Sequence, residues 1–226
     1  LEKIRVPPLG PGEVGPDTGI GASRGTRIFG HATRQAAAQA KDQLIEVASY
    51  KLGFTKEQLS LTGDGRVRSP VGKSISYGEI AQASGDGIRG HGFYKNFESG
   101  PEAALCAQVA EVEVDVETGQ ISLKRFTTAH STGTVLNPLM HQGQIDGGVV
   151  MGMGYALMEE VMIDGGKVIT NNFGDNKIPS IKDIPGLKTV VQQLPVGNGP
   201  YGAMSIGEPP VVPVAAAIAN ALHDAV

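Results

Sequence analysis

The 226-residue chain has no tryptophan, one cysteine and only 5% aromatic residues. A single cysteine, Cys106, excludes both an internal disulfide framework and a cysteine-ligated iron–sulfur cluster within this chain. No apolar run approaches the roughly 18 residues of a membrane span, and no basic segment leads into a hydrophobic one as in an export signal. A formal net charge of −4 offers no basic surface to nucleic acid or to an anionic membrane. Together these absences point to a reducing, cytoplasmic setting. The missing motifs narrow the chemistry further. The histidines at 31, 91, 130, 141 and 223 show no HExxH or HxxxH spacing and Cys106 has no companion, so any metal must be held by something other than protein side chains. There is no Gly-x-Ser-x-Gly elbow and no Walker sequence. Gly85-Asp86-Gly87-Ile88-Arg89-Gly90 matches GxGxxG in letters only. A helix precedes it and a strand over Gly92 to Lys95 follows, the reverse of the dinucleotide-binding context.

Glycine and proline are plentiful instead, at 32 and 14 residues, which implies many turns and close backbone approaches. Leu1 to Val6 reads as part of a strand and Pro7 to Gly25 as a loop. A helix follows over Ala32 to Leu52, with Leu44, Ile45, Val47, Ala48 and Leu52 on its buried side and His31 in its first turn. Gln58 to Thr62 and Arg66 to Arg68 form a hairpin across Gly63-Asp64-Gly65. Ser76 and Glu79 have capping-box spacing for a short helix to Ala83. A second hairpin joins Ala103 to Val116 with Ile121 to Thr128, its Val112, Val114 and Val116 opposite Glu111, Glu113 and Asp115. Asn137 to Val161 is too long for a strand. As a helix it carries glycines at 147, 148, 152 and 154, each costing about 1 kcal/mol relative to alanine unless close packing offsets it. The fold class is α+β, with two interleaved α+β subdomains whose boundary the sequence does not place. Both ends read as cut from a longer polypeptide.

Three segments suggest a site. The small residues of Gly19-Ile20-Gly21-Ala22-Ser23-Arg24-Gly25-Thr26 expose backbone N–H groups ahead of a helix, suited to anionic oxygens, although a plain connector would read the same. Gln144 has room from Gly143 and Gly147 to donate and accept hydrogen bonds to a ligand. His130 and His141 flank the start of the same helix as packing or pocket residues. Glu208-Pro209-Pro210 precedes the apolar stretch Val211 to Ala225, and proline suits a first helical turn. On this reading Glu208 is either a first-turn acid complementing the helix dipole or a carboxylate left free to act as a base.

In this order the segments resemble the C-terminal part of the molybdenum-binding subunit of the xanthine dehydrogenase / aldehyde oxidase family. Three blocks carry the likeness: Gly21-Ala22-Ser23-Arg24 with Gly30-His31-Ala32; Glu111 to Asp115 through Gly133-Thr134-Val135-Leu136-Asn137-Pro138 to Gly143-Gln144-Ile145-Asp146-Gly147; and Gly199-Pro200-Tyr201-Gly202-Ala203 through Gly207-Glu208-Pro209-Pro210. The resemblance implies a molybdopterin cofactor with molybdenum, usually the cytosine dinucleotide form in bacterial members, the metal held by the pterin dithiolene. It implies hydroxylation of an N-heterocycle or aldehyde carbon with water-derived oxygen. It makes Glu208 the general base, and it makes Gly21, Ala22, Ser23 and Gln144 cofactor contacts. Iron–sulfur clusters and FAD are expected only on other chains or domains, and the partners are the remaining molybdopterin half-domain with iron–sulfur and flavin subunits. Ser131 and Met204 stand where many members have Asp and Lys. They favour the alternative, a non-catalytic module of the same fold that serves subunit assembly.

The isolated chain should then lack molybdenum and activity and should self-associate through an apolar face that the missing half would cover. Sedimentation velocity with metal analysis checks this, and a cofactor-loaded monomer is the contrary outcome.

Overall fold

The computed structural model describes residues 4–8, 10, 12, 19–95 and 103–226. The first half of the strand expected at 1–6 and part of the loop that follows (residues 9, 11 and 13–18) lie outside them, and residues 4–6 carry no strand. Helix α1 runs over Gly25–Leu52, seven residues earlier than its pattern suggests, and ends on Gly53 at φ 74°. His31 therefore lies in its second turn. At 28 residues it is roughly 42 Å long, at 1.5 Å per residue. Its C-terminal half packs on a small antiparallel sheet, β1 (Ser60–Thr62), β2 (Arg66–Arg68) and β3 (Ser74–Ser76), and on α2 (Tyr77–Ala83). Ala48, Leu59, Val67 and Ile80 are the buried centre of this cluster. The Ser76–Glu79 capping box is formed, each side chain accepting the other's backbone N–H.

After α2 the chain returns along α1 without making the strand expected at Gly92 to Lys95. Glutamines one helical turn apart hold it instead. Gln35 Oε1 accepts from Phe93 N–H (3.1 Å) and Gln39 Oε1 from His91 N–H (2.6 Å), while Gln43 Nε2 donates to Arg89 O (2.7 Å). Gly90 and Gly92 lie against the α1 backbone at Ala36 and Ala32, where a side chain has no room.

The second sheet has the order β4 (Cys106–Val114), β5 (Ile121–Ser131), β8 (Gly186–Gln192). β4 and β5 are antiparallel with Val114 opposite Ile121. Glu111 faces Arg125 while Val112 faces Leu123, so Lys124 is the extra residue of a bulge. β8 lies parallel to β5, and a two-residue pair, β6 (Ile163–Asp164) and β7 (Lys167–Val168), sits in the connection. Helix α3 (Pro138–Leu157) is capped by Asn137, whose Oδ1 accepts from Met140 N–H, with proline in the first turn. Helix α4 (Val214–Ala225) closes the second core, in which Phe126, Val149, Met153, Val214 and Ile218 are buried together.

The glycines of α3 have distinct surroundings. A methyl at Gly148 would lie 2.7 Å from Pro210 Cβ, and one at Gly152 would lie 2.5 Å from Val214 Cβ, whereas Gly143 and Gly147 face open space. The helix weakness is thus offset at positions 148 and 152, where α3 meets the segment leading into α4. Ile145, Val149 and Met153 of α3 are buried, while other apolar side chains of the helix point outward: Leu139 is 80% exposed and Tyr155 51%. Gly152→Ala should destabilise the chain by about 1–3 kcal/mol through overpacking, while Gly147→Ala should stabilise it by up to about 1 kcal/mol. Urea unfolding midpoints of the two variants, compared with wild type, check both signs.

Candidate cofactor and proton-transfer site

The site forms where the N-terminus of α1, the N-terminal half of α3 and residues 199–213 converge. Gly30 on α1 makes room for Pro200, whose Cγ would lie 2.7 Å from a methyl there, and His31 Nε2 bonds Asn198 O at 2.9 Å while stacking on Tyr94. Gly133 bridges to Ala203 in antiparallel fashion, and Thr134 Oγ1 donates to Tyr201 O at 2.7 Å. Tyr201 and Gly202 turn the chain in the left-handed region, at φ 60° and 80°. The strap that follows runs along α3, so that Gly207 comes beside Gln144, Pro210 beside Gly148 and Val214 beside Gly152.

The expected helix start at Pro209 is not formed. Residues 208–213 make turns, with Val211 N–H donating to Glu208 O (3.1 Å), and α4 begins only at Val214. A third proline explains this. Pro213 has no N–H to give Pro209 O, so a helix entered at 209 would be broken inside its second turn. Glu208 is therefore exposed and off the helix end, neither the first-turn acid nor the wholly free carboxylate of the two sequence readings. Ser23 Oγ donates to Glu208 Oε2 at 2.7 Å and accepts Glu208 N–H at 2.7 Å. Ala22 and Ser23 reach it from a strained loop, both in the left-handed region at φ 52° and 54°.

Two cavities flank this contact. One, of about 410 Å³, is lined by Ser23, Thr26, Arg27, Gln144, Met204 and Gly207. The other, of about 460 Å³, is lined by Ala22, Ser23, Cys106, Glu208, Pro209 and Val212. Ser23, Gln144 and Glu208 are thus brought together, with Ala22 on the second cavity. Gly21 lines neither: its carbonyl is held by Arg24, through N–H (3.3 Å) and Nε (2.9 Å). Helix α1 opens onto the first cavity with no side-chain cap and no acid in its first turn, so its positive end is available to an anionic group. Gly207 leaves a gap between Ser23 Oγ and Gln144 Oε1 that a methyl group would enter at 3.0 and 3.6 Å. An anion-compatible helix end, an amide and a gap without a side chain fit a flat, phosphate-bearing cofactor.

Sequence reasoning missed Gln108. From β4 its Nε2 donates to Pro210 O (2.7 Å) and Thr128 Oγ1 (3.0 Å), tying the strap to the sheet. The alternation of β4 marks it as inward-facing, and an inward glutamine among valines and alanines is the signal that was available. Burial pushes the Cys106 thiol up, only partly opposed by hydrogen bonds from Thr128 and Gln108, so it stays protonated beside the second cavity. Among the described residues no group of three or more His, Cys, Asp or Glu is placed to hold a metal, and no helix is long and apolar enough to cross a membrane.

A molybdopterin cofactor-binding domain family matches residues 1–185. The xanthine dehydrogenase molybdenum-binding subunit of Escherichia coli O157:H7 is 33% identical over 216 residues, covering 91% of this chain and 28% of that protein. The 6-hydroxypseudooxynicotine dehydrogenase complex subunit gamma of Paenarthrobacter nicotinovorans is 32% identical, covering 95% of this chain and again 28% of the relative. Quinoline 2-oxidoreductase from Pseudomonas putida 86 superposes with a TM-score of 0.77 at 26% identity, over 91% of this chain and 28% of the other. The family match and the superposition show a molybdopterin cofactor-binding α+β domain. The chain belongs to the molybdopterin cofactor-binding domain family found in xanthine dehydrogenase-type molybdenum-binding subunits, and spans a little over a quarter of the length of these relatives.

Neither His130 nor His141 lines either of the two cavities; both pack among buried groups. His130, 3% exposed, shares a 2.7 Å hydrogen bond with Thr128 Oγ1, and Nδ1 of His130 and Nε2 of His141 are buried without a partner among the described residues. Burial pushes both imidazoles below their ordinary range, and His141 pushes His130 further. Below about pH 6.5 the unfolded chain takes up protons that the folded chain refuses. This part of the stability is therefore complete above about pH 6.5 and is lost as the pH falls toward the depressed folded values. The shifted carboxylates Glu57, Asp64, Glu79, Asp115 and Asp183 are all lowered, so they act only at more acidic pH. Denaturant midpoints should drop between pH 7.5 and 5.5, and His141→Gln should flatten that drop. Equal midpoints in the wild type would contradict the assignment.

Proposed function

We propose that this chain contributes the base-bearing wall of the cofactor site in a molybdenum hydroxylase that oxidises an N-heterocycle or aldehyde carbon with oxygen from water. The observation that carries the reading is Glu208: an exposed carboxylate on the rim of one cavity, one residue from the Gly207 gap that opens toward Gln144 in the other. The α1 N-terminus would receive anionic oxygens of the cofactor, the Gln144 amide would hydrogen-bond the pterin, and Ala22 would approach it through backbone. When bound, the molybdenum cofactor would supply the acceptor for the two electrons that leave the substrate. Glu208 would take the proton of the water-derived hydroxyl as that oxygen bonds to carbon, while the carbon's hydrogen leaves as hydride. Net, C–H and water become C–OH, two protons and two electrons.

The electrons would pass on to iron–sulfur and flavin groups carried by other chains or domains, in a cytoplasmic assembly that includes the rest of the molybdenum subunit. A relative that is one subunit of a dehydrogenase complex supports this arrangement. The cytosine dinucleotide form of the cofactor belongs to the same reading. In the assembled enzyme, Glu208→Gln should lower turnover about 10²-fold or more with molybdenum content unchanged. Unchanged turnover would favour the assembly module for which Ser131 and Met204 speak.

A further inference from the structure

A serine hydroxyl has one proton to give and two lone pairs to receive with. Ser23 gives its proton to Glu208 Oε2 and receives the N–H of the same residue, both at 2.7 Å and across 185 positions of sequence. Resting on the reading of Glu208 as the base, we infer that Ser23 is a positioning residue for Glu208, and that its hydroxyl serves the carboxylate and not the cofactor.

Three further features belong to the same device. Tying backbone and carboxylate of one residue to a single atom closes a ring that fixes the glutamate side chain in one conformation. It occupies Oε2 and leaves Oε1, on an exposed residue, with no hydrogen-bond partner among the described residues and so free to accept a proton. Glycine at 207 suits the approach, since a methyl there would lie 3.0 Å from Ser23 Oγ and 3.4 Å from its Cβ, tight enough that Ser23 would have to give way slightly. The hydroxyl is delivered by two consecutive non-glycine residues held at φ 52° and 54°. Such strain persists where the surroundings over-determine a functional geometry, and Arg24 holds the loop from the other side through Gly21 O.

The test uses the assembled enzyme carrying Ser23→Ala or Ser23→Gly, the second chosen because glycine accepts the left-handed backbone and keeps the loop folded. Four quantities are measured: kcat, KM, molybdenum content, and amide hydrogen exchange at Glu208. Losing a hydrogen bond to a charged group should lower kcat about ten- to a hundredfold in both variants. KM and molybdenum content should not move, and exchange at Glu208 should accelerate. Adding Ser23→Ala to Glu208→Gln should cause no further loss. A fall in molybdenum content would put the hydroxyl on the cofactor and overturn the inference, as would wild-type kcat with wild-type exchange. Glu208→Gln alone separates the two readings. If that variant is fully active, the base assignment fails and the catalytic role of Ser23 with it. If it is slow while Ser23→Ala is not, only the positioning role fails.

Discussion

The close approach of residues 207–214 to helix α3 is the constraint on which the site depends. Gln144, Gly148 and Gly152 lie one turn apart along one face, roughly 12 Å from first to last at 1.5 Å per residue. Opposite them run Gly207, Pro210 and Val214. Side chains at 148 and 152 would lift the strap away, and with it the backbone that carries Glu208. Gln108 fastens the strap from the sheet side by taking Pro210 O. The same contact buries Val149, Met153, Val214 and Ile218 with Phe126, so the core of this half and the placement of the carboxylate are one packing problem. A helix weakened by its glycines is the condition for a carboxylate held close to it.

Against this close-packed wall stands a strained one. Left-handed backbone costs an L-residue about 1–2 kcal/mol, and Ala22 and Ser23 both adopt it. The hydrogen bonds to Glu208 and the bonds from Arg24 to Gly21 offset part of that cost. Geometry of this kind is set when the chain folds and is ready before any ligand arrives. It favours a site whose polar groups need little rearrangement, which is what proton transfer at fixed distance requires.

Much of the fold was legible because its signals are local. The alternation of Val112 and Val114 with Glu111 and Glu113, the Asp64-Gly65 turn, the Ser76–Glu79 box and the Asn137-Pro138 start each act within a few residues and form as read, although the strand stops at Val114 and leaves Val116 exposed. The rest depends on partners far along the chain. Strand β8 pairs in parallel with β5 after a long connection, so no turn announces it. Helix α1 starts at Gly25 despite Gly30 and the β-branched Thr26 and Ile28, because Pro200 and Asn198 pack on its first turns. At the site, Ser23, Gln144 and Glu208 were each marked by their own surroundings. Their meeting was not, and Pro213, which keeps the segment after Glu208 out of the helix, was within reach but outweighed by the prolines before it.

The glutamines of α1 take only main-chain atoms of the returning segment: the N–H groups of His91 and Phe93 and the carbonyl of Arg89. Side-chain identity at those three positions plays no part in the clasp, and the two glycines between them meet the helix directly. Evolutionary freedom and constraint therefore alternate residue by residue along this stretch. Arg89, His91 and Phe93 can drift without loosening the chain, whereas Gly90 and Gly92, pressed on the α1 backbone at Ala36 and Ala32, leave no room for a side chain.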